Sequence, residues 1–347
     1  MKKRIISLIT AGCMVFAMAG CTSGSSSQTA EAATTETTST ESTESSESAE
    51  PAAEGAQYTV GICQLVQHDA LDAATQGFKD AIVEALGEDA VTFDEQNAQN
   101  DTNTCATIIT GFVASEVDLI LANATPALQA AQAGTNTIPV LGTSVTEYGV
   151  ALGIDDFDGL VGTNISGTSD LAPLDEQAAM IQELFPDAKN IGLLYCSAEA
   201  NSQYQVDTVK AELEGMGYTC EYYAFSDSND LATVCQSAAD ASDVIYIPTD
   251  NTAANNTELI NNICYGKVPV VAGEEGICAG CGVATLSISY YDLGVATGNM
   301  AVKILTGESK VEEMPIEYAP QFTKKYNAAN AEALGVTIPD DYVAIEE

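Results

Sequence analysis

The sequence predicts an α/β protein of two doubly wound parallel-sheet lobes, joined by a hinge with a ligand cleft between them. Three observations carry this. Apolar runs of strand length alternate with helix-periodic stretches from Tyr58 onward, the pattern of a parallel sheet covered on both faces. The alternation also recurs: VDLILANATP at 117–126 matches SDVIYIPTDN at 242–251, and TIPVLG at 137–142 matches KVPVVA at 267–272, which points to duplication. Finally, the chain has 347 residues, enough for two domains of about 150 residues beyond an N-terminal leader.

In chain order, Tyr58–Gln64 reads as a strand. Asp69, a good N-cap, then opens a helix to Leu86 with Ala70, Leu71, Ala74 and Phe78 on its apolar face. The intervening loop lies at the carboxyl end of a strand, where α/β folds bind ligands. Strands follow at Ala90–Gln96, Val117–Asn123 and Thr137–Gly142, with helices at Thr102–Ser115 and Pro126–Gly134. Val150–Ile154 (VALGI) reads as the start of another strand. The second half repeats this grammar. Strands are predicted at Asn190–Tyr195, Tyr218–Phe225, Asp243–Ile247 and Lys267–Ala272, and helices at Gln203–Gly215, Asp230–Ala239 and Thr252–Tyr265. Gly282–Leu286 (GVATL) pairs with the earlier GVALG. A helix at Leu293–Leu305 and a strand at Pro315–Tyr318 complete the pattern.

The N-terminus reads as an address. Lys2, Lys3 and Arg4 precede the apolar run Ile5–Ala19, a secretory signal too short for a stable membrane span. Residues 22–57 are almost wholly Ser, Thr, Ala, Gly and Glu, with seven Glu and no basic residue. Such a segment buries too little apolar area to offset its ordering entropy and reads as a disordered tether. Lys plus Arg number 11 against 50 Asp plus Glu, a formal net charge of −39. That surface repels nucleic acid and anionic lipid.

Candidate contacts fall in the loops after strands. Gln64 and His68 lie in the first. His68 is the only histidine, able either to cover an apolar ligand group and donate a hydrogen bond or simply to order its loop. Thr125, Ser144 and Thr146 follow first-half strands; their hydroxyls with helix-terminal N–H groups make a carboxylate site, with helix capping as the competing role. Asn201, Ser202 and Asp250 hold equivalent places in the second half. Asp250 suits a ligand ammonium and is equally placed to cap a helix. Of Tyr290 and Tyr291, one can face an aromatic or aliphatic ligand while the other is buried in a lobe. The chain has no Trp, the usual strong stacking platform for sugars. No G-x-S-x-G elbow accompanies His68, so no catalytic residues are assigned. Of ten cysteines, Cys63, Cys105, Cys196, Cys220, Cys235 and Cys264 read as small buried residues. Cys278 and Cys281 form the sole C-x-x-C, in a Gly-rich loop without two further zinc ligands nearby. No metal and no cofactor is expected.

Two resemblances sharpen this. Met18-Ala19-Gly20-Cys21 resembles the lipobox of bacterial lipoproteins, which implies cleavage before Cys21 and a diacylglycerol on its sulfur. From Tyr58 to Tyr318 an ordered series resembles the TrpX-like substrate-binding family, which includes tryptophan-binding lipoproteins and has the type I periplasmic-binding-protein fold. The series is Gly61-Ile62-Cys63-Gln64, His68-Asp69-Ala70-Leu71-Asp72, Gln96-Asn97-Ala98, Ala124-Thr125-Pro126, Ser144-Val145-Thr146, Gly167-Thr168-Ser169-Asp170, Glu199-Ala200-Asn201-Ser202, Pro248-Thr249-Asp250-Asn251 and Tyr290-Tyr291-Asp292-Leu293-Gly294. Asp69 stands where the family has Pro, and both suit a helix start.

The resemblance implies a chain that crosses between lobes. The resulting division is a signal peptide at 1–20, a tether at 21–57, lobe one at 58–168 with 286–308, and lobe two at 169–285 with 309–347. It also implies a monomeric, lipid-anchored extracytoplasmic solute receptor that hands a small amino acid, aromatic or large and apolar, to an ABC permease after hinge closure. A nucleoside or sugar receptor of the same fold is the alternative. An extracellular enzyme or redox protein using His68 or Cys278/Cys281 is the alternative of another class.

Overall fold

The computed structural model describes residues 57–346; the expected signal peptide, Cys21 and the tether as far as Ala56 lie outside the described residues. The first half runs β1 (Tyr58–Gln64), α1 (Asp69–Leu86), β2 (Val91–Asn97), α2 (Thr102–Ala114), β3 (Leu119–Asn123), α3 (Thr125–Gly134), β4 (Val140–Val145), α4 (Tyr148–Leu152) and β5 (Ile165–Ser169). The second runs α5 (Leu174–Leu184), β6 (Asn190–Cys196), α6 (Ala200–Gly215), β7 (Thr219–Phe225), α7 (Ser228–Ala241), β8 (Val244–Ile247), α8 (Asn251–Ala254), α9 (Thr257–Cys264), β9 (Val270–Ala272), α10 (Glu275–Cys281) and β10 (Ala284–Ser287). The tail adds α11 (Tyr290–Leu305), β11 (Glu317–Tyr318), β12 (Thr323–Tyr326), α12 (Ala328–Leu334) and β13 (Val343–Ala344).

Two sheets result. The first has the order β2-β1-β3-β4-β5-β11, every neighbouring pair parallel. The second has the order β7-β6-β8-β9-β10-β12-β13, parallel except where β12 runs against β10. Five strands of each sheet share one order, as duplication requires. Central strands are apolar throughout because both faces are covered: Leu119–Asn123 is buried at every residue, whereas the edge strand β7 is largely exposed. Alternation along β1 and β3 sends Val60, Ile62, Leu119 and Leu121 to a core with Phe78 and Met300. Cys63, Ile120 and Ala122 go to the opposite core, with Ile109, Phe112 and Leu128.

Several elements differ from the sequence reading. Asp69 is the first helical residue, and His68 occupies the N-cap without a side-chain cap bond. Val150–Ile154 is not a strand. Glu147 accepts from the Gly149 and Val150 N–H groups and starts the short helix α4, which Gly153 closes in the left-handed conformation. Val150 is 42% exposed, so its apolar neighbours mark a helix face. The structural counterpart of β10 is therefore β5, whose ISGTS sequence carries no strand signal. Its small polar residues are instead satisfied inside: Ser166 Oγ donates to Met314 O at 2.8 Å, and Thr168 Oγ1 lies 2.8 Å from Thr297 Oγ1. Thr252–Tyr265 is two helices, α8 and α9. The edge strand β11 pairs with β5 in the first sheet, whereas residues from 309 onward were expected in lobe two; only β12 and β13 join the second sheet.

Helix α11 returns to the first lobe and lies tightly on α1. A Cβ at Gly77 would come within 2.1 Å of Tyr291 O, and one at Gly294 within 2.0 Å of Ala74 O. Only glycine permits these backbones to approach so closely. Gly294→Ala is therefore expected to cost about 1–3 kcal/mol by forcing the helices apart, read as a lower midpoint in thermal or urea unfolding. Gly111→Ala in α2 meets open space and should add about 0.5–1 kcal/mol by the gain in helix propensity.

Candidate ligand-binding site

Parallel strands in both sheets aim their carboxyl ends at one cleft, so the residues just after each strand meet there. The lining comprises His68 and Leu71 after β1, Ser144 and Thr146 around the end of β4, and Asp170 after β5. From the second lobe come Asn201, Thr249, Asp250, Asn251, Ala254 and Glu274, and Tyr290 stands at the third side. The enclosed space is about 10 Å³, room for about one water molecule. The lobes touch directly: His68 Nε2 lies 3.3 Å from Asn251 Oδ1, and Asn100 Nδ2 donates to Thr252 Oγ1 at 3.1 Å.

Three polar atoms in this lining are buried without a hydrogen-bond partner: Ser144 Oγ, Asp170 Oδ1 and Asn201 Oδ1. Buried polar groups are normally paired, so these three atoms mark where a molecule in the cavity, water or solute, has hydrogen bonds to make. Ser144 is held with φ of 53° where β4 breaks register against β5. Strain of this kind in a non-glycine residue collects at functional sites.

The charges are one-sided. Among the described residues, the lining holds Asp170, Asp250 and Glu274 and no Lys or Arg. Asp250 caps α8, its Oδ1 accepting from Ala253 N at 2.8 Å, while Oδ2 accepts from Cys196 N at 2.7 Å. Glu274 caps α10, accepting from Gly276 N at 2.7 Å and Ile277 N at 2.5 Å. Asp170 differs: Tyr290 OH donates to Oδ2 at 3.0 Å, and Oδ1 has nothing. Burial pushes the Asp170 carboxyl above the usual carboxylate range, against the pull of the Thr146 and Tyr290 hydroxyls. Asp250 is likewise raised by burial and by the Glu199 charge, although two backbone N–H bonds oppose the shift.

The residues expected from sequence separate into two groups. His68, Ser144, Thr146, Asn201, Asp250 and Tyr290 line the cleft; Gln64, Thr125 and Ser202 do not. Gln64 is a brace inside lobe one. Its Nε2 donates to Val66 O at 2.9 Å and Asp72 Oδ1 at 2.6 Å, and its Oε1 accepts from Thr75 at 2.7 Å. Thr125 is the first residue of α3, behind an Ala124 N-cap with no side-chain cap bond, so the expected capping is absent. Ser202 is fully buried, its Oγ accepting from Asn201 Nδ2 at 3.4 Å. Tyr290 is the buried tyrosine of its pair, while Tyr291 is 43% exposed and donates to Asp80 Oδ2 at 3.0 Å.

Asp170, Asn251 and Glu274 were missed as lining residues. Asp170 stands directly after β5, Glu274 caps α10 and Asn251 opens α8, the positions at which an acid or amide is placed at such a cleft.

Cys278 and Cys281 lie in α10, not in a Gly-rich loop. The eight cysteines among the described residues are free and buried, and burial pushes the Cys278 and Cys281 thiols well up. Such thiols are poor nucleophiles. Among the described residues no group of three or more His, Cys, Asp or Glu could hold a metal ion, and no helix is long and apolar enough to cross a membrane.

Comparison with known proteins decides the family. The profile described as ABC transporter substrate binding protein matches residues 59–346. The chain belongs to the ABC transporter substrate-binding protein family. A tyrosine-binding protein of Clostridioides difficile (strain R20291) is 34% identical over 318 residues, 90% of this chain and 87% of that one. The structure of an ABC domain in complex with L-Trp from Streptococcus pneumonia has a TM-score of 0.78 at 32% identity, covering 82% of this chain and 97% of that one. The ligand-free, open structure of a substrate-binding protein with adhesive properties from Clostridium difficile has a TM-score of 0.64 at 36% identity, covering 83% and 99%. The type I periplasmic-binding-protein fold expected from the sequence is the fold of this substrate-binding protein. Its family makes it a transport receptor rather than an enzyme.

Because Asp250 satisfies backbone donors on both its oxygens, its role in the fold is independent of any ligand. Asp250→Ala is expected to lower the unfolding free energy of the ligand-free protein by about 1–3 kcal/mol, measured by urea denaturation. An unchanged midpoint would contradict the cap.

Proposed function

We propose that this protein is the lipid-anchored, extracytoplasmic receptor of an ABC importer and that its solute is an aromatic amino acid. The observation that carries the solute is the unpartnered Oδ1 of Asp170 at the floor of the cleft. A buried carboxylate oxygen without a partner wants a cationic donor, and an α-ammonium group supplies one. This moves the ammonium from Asp250, where the sequence reading put it, to Asp170. Ser144, Thr146 and Asn201 offer polar contacts for the rest of the α-amino acid, while Leu71, Ala254 and Tyr290 offer apolar surface to its side chain. The absence of Lys and Arg from the described lining disfavours any solute with net negative charge. The relatives support the same class, one being a tyrosine-binding protein and another a complex with L-Trp.

The mechanism is capture by hinge closure. Space for one water does not admit an amino acid, so the lobes must part and close again around it. The greater likeness to the L-Trp complex than to the open, ligand-free structure, despite lower identity to the former, supports reading this conformation as closed. Anchoring through a lipid on Cys21, a tether across 22–57, delivery to a permease by a monomer, and Gln64, Thr125 and Ser202 as indirect supports of the site complete the proposal.

Calorimetric titration is expected to show binding of L-tyrosine or L-tryptophan and none of glucose or adenosine; the reverse result would sink the solute assignment. Asp170→Asn should weaken the amino acid by about 2–5 kcal/mol. The pH dependence has a definite sign. Asp170 is raised in the empty cleft, and an ammonium favours its ionised form. Affinity is therefore full above the raised carboxyl range and lost as pH falls through it, with protons released on binding there. Titrations in buffers of different ionisation heat read that release, and Asp170→Asn should abolish it. Cys21→Ser should shift the protein from the membrane to the soluble fraction on cell fractionation.

A further inference from the structure

We infer that Glu199, which does not line the cleft, is a positioning residue: it sets the hydrogen-bond polarity of the two contacts that latch the lobes together. The inference rests on the receptor reading and adds a device to it. Glu199 is a buried carboxylate at the N-cap of α6. It takes all its bonds from two residues at the start of α8 and one neighbour in α6. Asn251 donates through its backbone N at 3.0 Å and its Nδ2 at 2.7 Å, and Thr252 through its backbone N at 2.9 Å and its Oγ1 at 2.8 Å. The Asn201 amide adds a longer bond at 3.4 Å.

These two residues are also the ones that reach across to lobe one. Asn251 Oδ1 faces His68 Nε2, and Thr252 Oγ1 accepts from Asn100 Nδ2. The chemistry links the two sets of bonds. Each Glu199 oxygen already accepts a backbone N–H and a side-chain donor, so the Asn251 amide turns its NH₂ towards Glu199 and its oxygen towards His68. The single hydroxyl proton of Thr252 is spent on Glu199, leaving lone pairs for the Asn100 amide. Lobe two thus presents two acceptors, and lobe one must present two donors. Asn100 donates, and His68 does so when its Nε2 carries the proton. On the lobe-one side, Gln99 and Asn100 are both held at positive φ, 55° and 62°, the turn that carries the Asn100 amide.

The isosteric change Glu199→Gln keeps the shape and inverts half the polarity, because its NH₂ competes with the donors of Asn251 and Thr252. In calorimetric titration with L-tyrosine and L-tryptophan, Glu199→Gln is expected to weaken binding roughly five- to tenfold, and Asn100→Ala by a similar factor. The double variant should be no weaker than Glu199→Gln alone, since both remove the same latch. Additive losses, or wild-type affinity in Glu199→Gln, would overturn the inference. If circular dichroism shows Glu199→Gln unfolded, Thr252→Val takes its place in the same cycle with the same two outcomes. Should the wild-type protein bind neither amino acid, the solute assignment fails and the latch is judged without ligand. Small-angle scattering should then give a larger radius of gyration for Glu199→Gln than for wild type, and equal radii would reject it.

Discussion

Every helix that follows a parallel strand brings unpaired N–H groups to the carboxyl edge of the sheet, and in a closed cleft water cannot satisfy them. In lobe two that obligation is met by carboxylates. Asp250, Glu199 and Glu274 receive the first N–H groups of α8 and α10, so the acids there are parts of the fold before they are parts of a site. The arrangement has an electrostatic consequence. Three buried acids have oxygens that accept backbone N–H bonds, while Asp170 keeps an oxygen bare. The lining is rich in carboxyl groups, and Asp170 alone among these acids has an oxygen that no protein donor reaches.

The position of Asp170 also joins the site to the hinge. It stands where the chain first leaves lobe one, after β5. Its partner Tyr290 opens α11, where the chain has just returned. A ligand that engages Asp170 therefore acts on two of the crossing segments at once. Helix α11 is in turn seated on α1 by glycine contacts, so a movement at Tyr290 meets a rigid pair of helices on the lobe-one side. Closure in such a frame is a rotation of packed lobes, not a deformation within them.

Much of the fold was legible in the sequence because period and composition agreed. The buried strands at 119–123 and 244–247 are apolar runs of the right length, and α1 carries its apolar face at helical spacing. Legibility failed where polarity and burial part company. Ser166, Thr168 and Thr297 are buried polar residues satisfied by partners far away in sequence, so β5 carried no strand signal and was not assigned. Val150 is an exposed apolar residue on a short helix, so α4 looked like a strand. His68, Ser144, Thr146, Asn201, Asp250 and Tyr290, singled out from their places after strands, line the cleft. Gln64, Thr125 and Ser202 hold equally good places but are buried away from the cleft lining.

By itself, then, the sequence determined the duplicated strand–helix alternation, the presence of two sheets and the loops that would face each other, because these follow from local period and from repetition. Tertiary structure alone decided which side chains reach the cleft, that Asp250 is occupied while Asp170 is bare, and that Glu317–Tyr318 completes the first sheet rather than the second. The reason is physical: a hydrogen bond between residues far apart in sequence leaves no trace in local pattern, and only the folded chain assigns each donor its acceptor.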